Sequence, residues 1–133
     1  MFQPQPLEVF LVEDNEGDVN LVRRSVAECD RTIELTVARN GEEALRVMKT
    51  PAFSPDLVIL DLNLPKVSGF EVLERSNTLN TPVVVFSSAC NSADVQRALS
   101  LRARECVRKP MDVGDFIGAV CGMIESWAIR RRK

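Results

Sequence analysis

The chain contains no histidine among its 133 residues, and this absence excludes several kinds of chemistry. Histidine is the usual acid–base residue near neutral pH and a common metal ligand. A site in this chain therefore cannot use histidine as an acid, a base or a ligand, and the chain cannot itself carry a phosphohistidine. Its chemistry has to come from carboxylates, hydroxyls and lysine.

Closely spaced cysteine pairs are also missing. The chain has four cysteines and no C-x-x-C motif, and the cysteines are scattered over the sequence as Cys29, Cys90, Cys106 and Cys121. Zinc sites and redox motifs usually need short cysteine spacings, and disulfides are rare in the cytoplasm. We therefore predict free thiols in a cytoplasmic protein rather than disulfides or a zinc site.

The sequence lacks long apolar runs and an excess of either charge. No stretch approaches the roughly 18 consecutive apolar residues of a membrane span. The first residues carry no basic segment before an apolar run, so we expect no signal peptide. The 17 basic and 19 acidic residues give a net charge of −2, whereas nucleic-acid binding usually needs a basic face. We expect neither a nucleic-acid partner nor a membrane partner.

Short apolar runs alternate with helical patterns along the whole chain. The runs lie near residues 7–12, 33–37, 57–60, 83–86 and 106–108. Amphipathic segments separate them, the first with Asp18 as a candidate N-cap. Five such units predict an α/β fold, with a five-stranded parallel sheet and helices on both faces. We expect one domain over residues 1–133, with an N-terminal extension at 1–6 and a basic tail at 130–133.

Polar residues follow four of the five apolar runs. They are Glu13 and Asp14 after the first run, Asp61 and nearby Asn63 after the third, Ser87 and Ser88 after the fourth, and Lys109 after the fifth. In an open parallel sheet the carboxyl ends of the strands meet at one edge, where ligands bind. Carboxylates crowded there repel one another, and Mg²⁺ prefers such oxygen ligands. The set predicts a magnesium site beside a lysine and a hydroxyl.

In these residues the chain resembles the receiver domains of response regulators, and the match covers nearly all of it. The matching segments are VEDN, LDLNLPKVSG, FSSA and RKP. VEDNEGD and LDLNLPK are most similar to single-domain regulators paired with phytochrome-type histidine kinases. The resemblance implies a flavodoxin-like, CheY-like (βα)5 fold. It also implies a module without an output domain that accepts phosphate from a sensor histidine kinase and signals through phosphorylation-dependent protein contacts.

The resemblance assigns phosphoryl transfer to three residues. Asp61 is the nucleophile that becomes an aspartyl phosphate. Lys109 neutralises one phosphoryl oxygen, and the Ser87 hydroxyl, five residues after Pro82, donates to another. The family likeness also implies a cis peptide bond between Lys109 and Pro110, which would turn the lysine toward the site.

The resemblance assigns Mg²⁺ to a second, overlapping set. Asp14 and Asp61 bind the ion directly, together with the backbone carbonyl of Asn63. Glu13 contributes directly or through a water. The Glu13 side chain is one methylene longer than the aspartate that the family more often has there.

The chain departs from the family pattern at two positions. Cys106 stands where the family usually has an aromatic residue whose ring moves on phosphorylation. Arg102 stands where a glycine is usual, in a turn that suits left-handed backbone, and we expect Arg102 to adopt that conformation at a cost of about 1 kcal/mol. Both departures bear on signal output rather than on phosphate uptake.

The last helical segment, from about Val113 to Ile129, is apolar over a wide arc. At 100° per residue the apolar side chains span about 200°, more than one sheet face requires. The arc comprises Val113, Phe116, Ile117, Ala119, Val120, Cys121, Met123, Ile124, Trp127 and Ala128. A second copy of the chain would cover the excess, as in many receiver dimers, so we predict a homodimer through this helix. The alternative is a deep groove in the chain's own domain.

Two other functions fit parts of the pattern. A metal-dependent phosphohydrolase with an aspartyl-phosphate intermediate would need a second aspartate as general acid two residues after the nucleophile. Asn63 occupies that position and cannot exchange protons. A receiver-like docking scaffold without phosphate would not need the acidic pair, Asp61 and Lys109 together. We therefore predict a phosphoacceptor signalling module and not an enzyme.

Overall fold

Five parallel strands form one sheet in the order β2-β1-β3-β4-β5. We describe a computed structural model over residues 5–76 and 80–129. The strands are β1 (Leu7–Val12), β2 (Ile33–Ala38), β3 (Leu57–Leu60), β4 (Val83–Ser87) and β5 (Glu105–Arg108). The predicted fold class is confirmed. The basic tail at 130–133 and most of the predicted N-terminal extension lie outside the described residues.

Helices cover both faces of the sheet. They are α1 (Glu16–Glu28), α2 (Gly41–Met48), α3 (Gly69–Arg75), α4 (Ser92–Ser100) and α5 (Val113–Met123), and α5 continues as a π-helical segment over Ile124–Ile129. The helices α1 and α5 pack with one face in one apolar core, and α2, α3 and α4 pack with the other in a second core. Of the helices in residues 5–76 and 80–129, none has the length and hydropathy that crossing a bilayer requires.

Burial along the strands follows their position in the sheet. The central strands β3 and β4 are buried at every residue, because helices cover both of their faces. The edge strand β2 alternates between exposed and partly buried side chains up to Ala38, as its sequence pattern predicts. In the register of the sheet Val12 lies opposite Leu60. The residues that follow these two therefore leave the sheet side by side.

The first helix begins one turn earlier than predicted. Asn15, not Asp18, is the N-cap of α1, and its side-chain oxygen accepts a hydrogen bond from the Asp18 backbone N–H at 2.9 Å. Asp18 was the wrong choice because a capping side chain must lie before the first turn, whereas Asp18 lies within it. Its carboxylate is consequently available for another contact.

The turn after α4 confirms the expectation for Arg102, whose φ is 77°. The Arg102 N–H donates to the Leu99 carbonyl, and the Ala103 N–H donates to the Ala98 carbonyl, both at 3.0 Å. These two bonds form a Schellman motif, in which one residue takes the left-handed conformation. The motif satisfies the last carbonyls of α4, and this offsets the steric cost of a residue with a side chain.

The prediction of free thiols is wrong for this structure, in which the four cysteines form two disulfides. Cys29 at the end of α1 bonds to Cys121 on α5, with Cα atoms 5.6 Å apart. Cys90, in the loop after β4, bonds to Cys106 in β5. Spacing along the sequence does not reveal such pairs, because adjacent helices and strands bring distant residues together.

Candidate functional site

Three carboxylates meet at the carboxyl edge of the sheet. Glu13 and Asp14 follow β1, and Asp61 follows β3. Oxygen atoms from the three side chains lie within 4.8 Å of one another. Glu13 is 2% exposed and Asp61 is 6% exposed, whereas Asp14 faces solvent. The adjacent strands therefore produce the predicted cluster, with two members withdrawn from water and one accessible.

Lys109 crosses to this cluster from the edge strand β5. Its side chain is 6% exposed, and its Nζ lies 2.6 Å from Glu13 Oε1, 2.8 Å from Asp18 Oδ2 and 3.1 Å from Asp61 Oδ2. An ammonium group has three N–H donors, so three carboxylates can use all of them. Sequence reasoning identified Lys109, Glu13 and Asp61 but missed Asp18 as a member of the site.

The Lys109–Pro110 peptide bond is trans, and the prediction of a cis bond is wrong. Two features place the lysine without it. The Lys109 N–H donates to the Ser87 carbonyl at 3.0 Å, which extends the pairing of β4 and β5 by one residue. The three carboxylates then attract the ammonium group across the sheet edge.

The structure distinguishes the two serines that follow the fourth apolar run. The Ser87 hydroxyl is fully buried and donates to Asp61 Oδ1 at 2.9 Å. Ser88 is exposed. Successive side chains of a strand point to opposite sides, so only one of two adjacent serines can reach Asp61. Ser87 is therefore the hydroxyl at the site.

The loop after β3 supplies a second donor to Asp61 Oδ1, the oxygen that also accepts from Ser87. The Asn63 backbone N–H donates to Asp61 Oδ1 at 3.1 Å, while the Asn63 residue is exposed. The Gly69 N–H donates to the Leu62 carbonyl at 3.0 Å and folds the loop back over the strand end. The contact that Asn63 makes with Asp61 is thus through its backbone.

Burial and charge shift the pKa values of two groups. Burial raises the pKa of Glu13 to about 7; the hydrogen bond from Lys109 opposes this rise, and the charge of Asp61 adds to it. Burial alone would lower the pKa of Lys109, but hydrogen bonds to Asp18 and Glu13 and the charge of Asp61 outweigh it, so that pKa lies above its ordinary value. Lys109 is therefore a permanent cation, while Glu13 titrates near neutrality.

The Glu13 shift predicts that stability of the metal-free protein falls as pH rises from 4.5 to about 7. In this window unfolded Glu13 loses its proton while folded Glu13 keeps it, so the unfolded state binds fewer protons. The slope is at most about 1.4 kcal/mol per pH unit from this one group. Below pH 4.5 both states are protonated and the contribution is fully present. It is lost as the pH rises to about 7, and above that both states are ionised.

Chemical unfolding at several pH values in chelator checks this prediction. The free energy of unfolding of wild type minus that of Glu13→Gln should change with pH only between pH 4.5 and about 7. Glu16→Gln, an exposed neighbour, should show no such change. If plots of unfolding free energy against pH run parallel for wild type and Glu13→Gln, the raised pKa of Glu13 is contradicted.

The donor set fits a hard divalent cation. The cluster contains only oxygen donors, and Asp14 leaves it open to solvent, so waters can complete the coordination as Mg²⁺ requires. With Asp18 included, the site brings together four carboxylates and the ammonium of Lys109, which leaves negative charge to be compensated.

These features agree with a comparison to known proteins. The family model described as the response regulator receiver domain matches residues 9–121. The chain belongs to the response regulator receiver family. The probable methanogenesis regulatory protein FilR2 of Methanothrix harundinacea is 33% identical over 130 residues, covering 92% of this chain and 84% of FilR2. The response regulator Rcp1 of Synechocystis is 30% identical over 131 residues, covering 92% of this chain and 89% of Rcp1.

Solved structures lead to the same family. The phosphorylated cyanobacterial phytochrome response regulator RcpA has a TM-score of 0.84 with 33% identity, covering 92% of this chain and 94% of that chain. The Mn²⁺-bound form of Rcp1 has a TM-score of 0.80 with 30% identity, covering 90% of this chain and 93% of that chain. This chain is therefore a receiver domain of the two-component type, similar to phytochrome response regulators.

Two residues of this receiver differ from what sequence reasoning assigned to them. Asp18 is the third residue of α1, in the first turn after the acidic pair Glu13 and Asp14, and this closeness to the pair was the available signal that it faces the site. Cys106 has no aromatic ring, as read from the sequence, but it is joined to Cys90 and is not the free thiol expected there.

Proposed function

We propose that Asp61 accepts a phosphoryl group from a histidine kinase and that this receiver signals through the phosphorylated state. The observation that carries the proposal is the environment of the Asp61 carboxylate. Ser87 donates to its Oδ1 and Lys109 to its Oδ2, at 2.9 and 3.1 Å. Both oxygens of a buried carboxylate thus have a donor before any phosphate arrives.

The chemical step is an in-line displacement. A carboxylate oxygen of Asp61 attacks the phosphorus of the kinase phosphohistidine, and a new P–O bond forms as the P–N bond breaks. The electron pair of that bond returns to the imidazole nitrogen. Charge shifts onto the phosphoryl oxygens, where the Lys109 ammonium and the Ser87 hydroxyl can donate to it. Such positioning and charge neutralisation account for most of the catalysis of phosphoryl transfer.

The Mg²⁺ ligands in this proposal are the carboxylates of Glu13, Asp14 and Asp61 and the backbone carbonyl of Asn63. When bound, Mg²⁺ supplies positive charge to the phosphoryl oxygens and lowers the repulsion between donor phosphate and carboxylates. The 4.8 Å grouping of the three carboxylates supports this assignment. The exposure of Asp14 provides a route for the ion.

The proposed phosphodonor is a phytochrome-type sensor histidine kinase in the cytoplasm. The name of a similar protein supports it, since RcpA is a cyanobacterial phytochrome response regulator. A cleft of about 630 Å³ lies beside Lys109. Asp18, Ser88 and Met111 are among the residues that line this cleft.

Incubation with acetyl phosphate and Mg²⁺, followed by intact mass measurement, tests the proposal. Wild type should gain one phosphoryl group and should gain none in chelator. Asp61→Asn should gain none under either condition. Asp30→Asn, an exposed aspartate outside the site, should behave as wild type. A phosphoryl group retained in Asp61→Asn would contradict the assignment of the nucleophile.

We also propose that the chain forms a homodimer through α5 and its neighbours. Half of the predicted apolar arc is buried in the chain's own core, namely Phe116, Val120, Met123, Ile124 and Ala128. The other half of the arc is exposed at Val113 and half-buried at Ile117, Ala119, Cys121 and Trp127. The exposed Met111 lies just before α5 and adds to this apolar surface.

Sedimentation over a wide concentration range tests the dimer. Wild type should associate, and Met111→Glu should weaken association without affecting folding, because Met111 is fully exposed. Asn20→Glu adds the same charge on α1 and should leave association unchanged. A wild-type monomer at all concentrations, with and without phosphate, would refute the dimer.

A further inference from the structure

Asp18 contacts Lys109 from outside the carboxylate cluster. Its Oδ2 lies 2.8 Å from Lys109 Nζ, closer than the 3.1 Å of Asp61. Its carboxylate does not belong to the group formed by Glu13, Asp14 and Asp61. Asp18 therefore interacts with the lysine of the site and not with the carboxylates that could hold a metal.

The three carboxylates around Lys109 differ in what else they must do. Glu13 and Asp61 belong to the cluster that fits a divalent cation, and Asp61 also has to attack phosphorus. Their contacts with the ammonium must weaken or shift when those roles are performed, since each carboxylate oxygen has limited lone pairs. Asp18 has no second role of this kind, so its contact with Lys109 can persist through the reaction.

The backbone holds Asp18 firmly enough to act as an anchor. Asp18 lies in the first turn of α1, where its N–H bonds to the N-cap Asn15. The next residue, Val19, is fully buried in the core beneath α1. The side chain is 28% exposed and the lysine 6%, so the pair is mostly shielded from water. Side-chain contacts of this kind fix the orientation of a reacting group at low entropic cost.

We propose that Asp18 is a positioning residue, which holds the Lys109 ammonium beside Asp61 so that it can donate to the incoming phosphoryl group. This inference rests on the proposed function, in which Lys109 neutralises the phosphoryl oxygens. It assigns Asp18 no direct contact with phosphate or metal. Removing its charge should therefore slow phosphoryl transfer while metal binding stays nearly unchanged.

The test compares Asp18→Asn with Glu16→Gln. Both changes remove one carboxylate from the first turn of α1, so they affect the helix dipole alike. Glu16 pairs with Arg39 instead of Lys109. We expect Asp18→Asn to lower the rate of phosphorylation by acetyl phosphate roughly 10-fold, as is typical for residues that orient a reacting group. Glu16→Gln should match wild type, and Asp18→Glu should recover part of the rate.

Two further measurements separate positioning from a general structural effect. Calorimetric titration with Mg²⁺ should give dissociation constants within about threefold for wild type and Asp18→Asn, whereas a disturbed cluster would weaken binding in step with the rate. In a Lys109→Gln background, Asp18→Asn should have no additional effect on the rate, because the two residues act as a unit.

Each contrary result overturns the inference. Positioning by Asp18 is excluded if Asp18→Asn is phosphorylated as fast as Glu16→Gln or faster. It is also excluded if Asp18→Asn loses Mg²⁺ affinity in parallel with its rate, or if its effect on the rate is undiminished in the Lys109→Gln background. If wild type itself takes up no phosphate, the proposed function fails and the inference fails with it. If wild type takes up phosphate and Asp18→Asn matches Glu16→Gln, only the inference fails.

Discussion

Lys109→Gln should lower the rate of phosphorylation at Asp61 by about 100-fold, the usual loss when a charged donor to a developing oxyanion is removed. Glutamine retains an N–H donor, one bond nearer the backbone, but no positive charge. Lys109 Nζ is within 3.1 Å of three carboxylates, so its removal also takes away a positive charge that offsets the repulsion between Glu13 and Asp61. The residual rate reflects the Ser87 hydroxyl and bound Mg²⁺.

The measurement is the time course of phosphoryl incorporation by intact mass at saturating Mg²⁺. Lys49→Gln removes one positive charge from the exposed end of α2 and should match wild type. Lys109→Arg keeps the charge but changes its shape, so it should fall between wild type and Lys109→Gln. A rate for Lys109→Gln within threefold of wild type would show that the ammonium does not act on the phosphoryl group.

Gly69→Ala should destabilise the protein by about 3 kcal/mol, at the upper end of the range for overpacking. A Cβ at this position would lie 2.4 Å from the Asp61 carbonyl oxygen and 2.7 Å from the Leu62 Cα. Both are backbone atoms, which cannot rotate away as a side-chain tip could. The clash with the added methyl group can be relieved only if the strand end that carries Asp61 moves, so phosphorylation should slow as well.

Chemical unfolding followed by circular dichroism measures this effect, with Gly118→Ala as the matched control. A Cβ on Gly118 in α5 would meet nothing within 4 Å. That change should stabilise the protein by about 1 kcal/mol, because alanine is the better helix former. Free energies of unfolding for Gly69→Ala and wild type that agree within 1 kcal/mol would show that the loop absorbs the methyl group.

The sequence by itself determined the sheet and the main residues of its reactive edge. Apolar runs of three to six residues, each followed by a helical pattern, are sufficient to specify parallel strands with helical crossovers. Because the carboxyl ends of such strands share one edge, the sequence alone predicts that Glu13, Asp61 and Lys109 lie close together. These inferences depend on local patterning and on topology, and both are properties that a linear sequence carries.

Only the tertiary structure decided which of the neighbouring polar groups reach that edge. Ser87, the serine that the family resemblance assigned, contacts Asp61 while adjacent Ser88 faces solvent. Asp18 contacts Lys109 although its sequence position suggested a helix cap. The trans bond before Pro110 and the pairing of Cys29 with Cys121 were also beyond the sequence. The side-chain contacts and the disulfide depend on distances of a few ångströms between residues far apart in the chain, and tertiary packing, not local propensity, sets such distances.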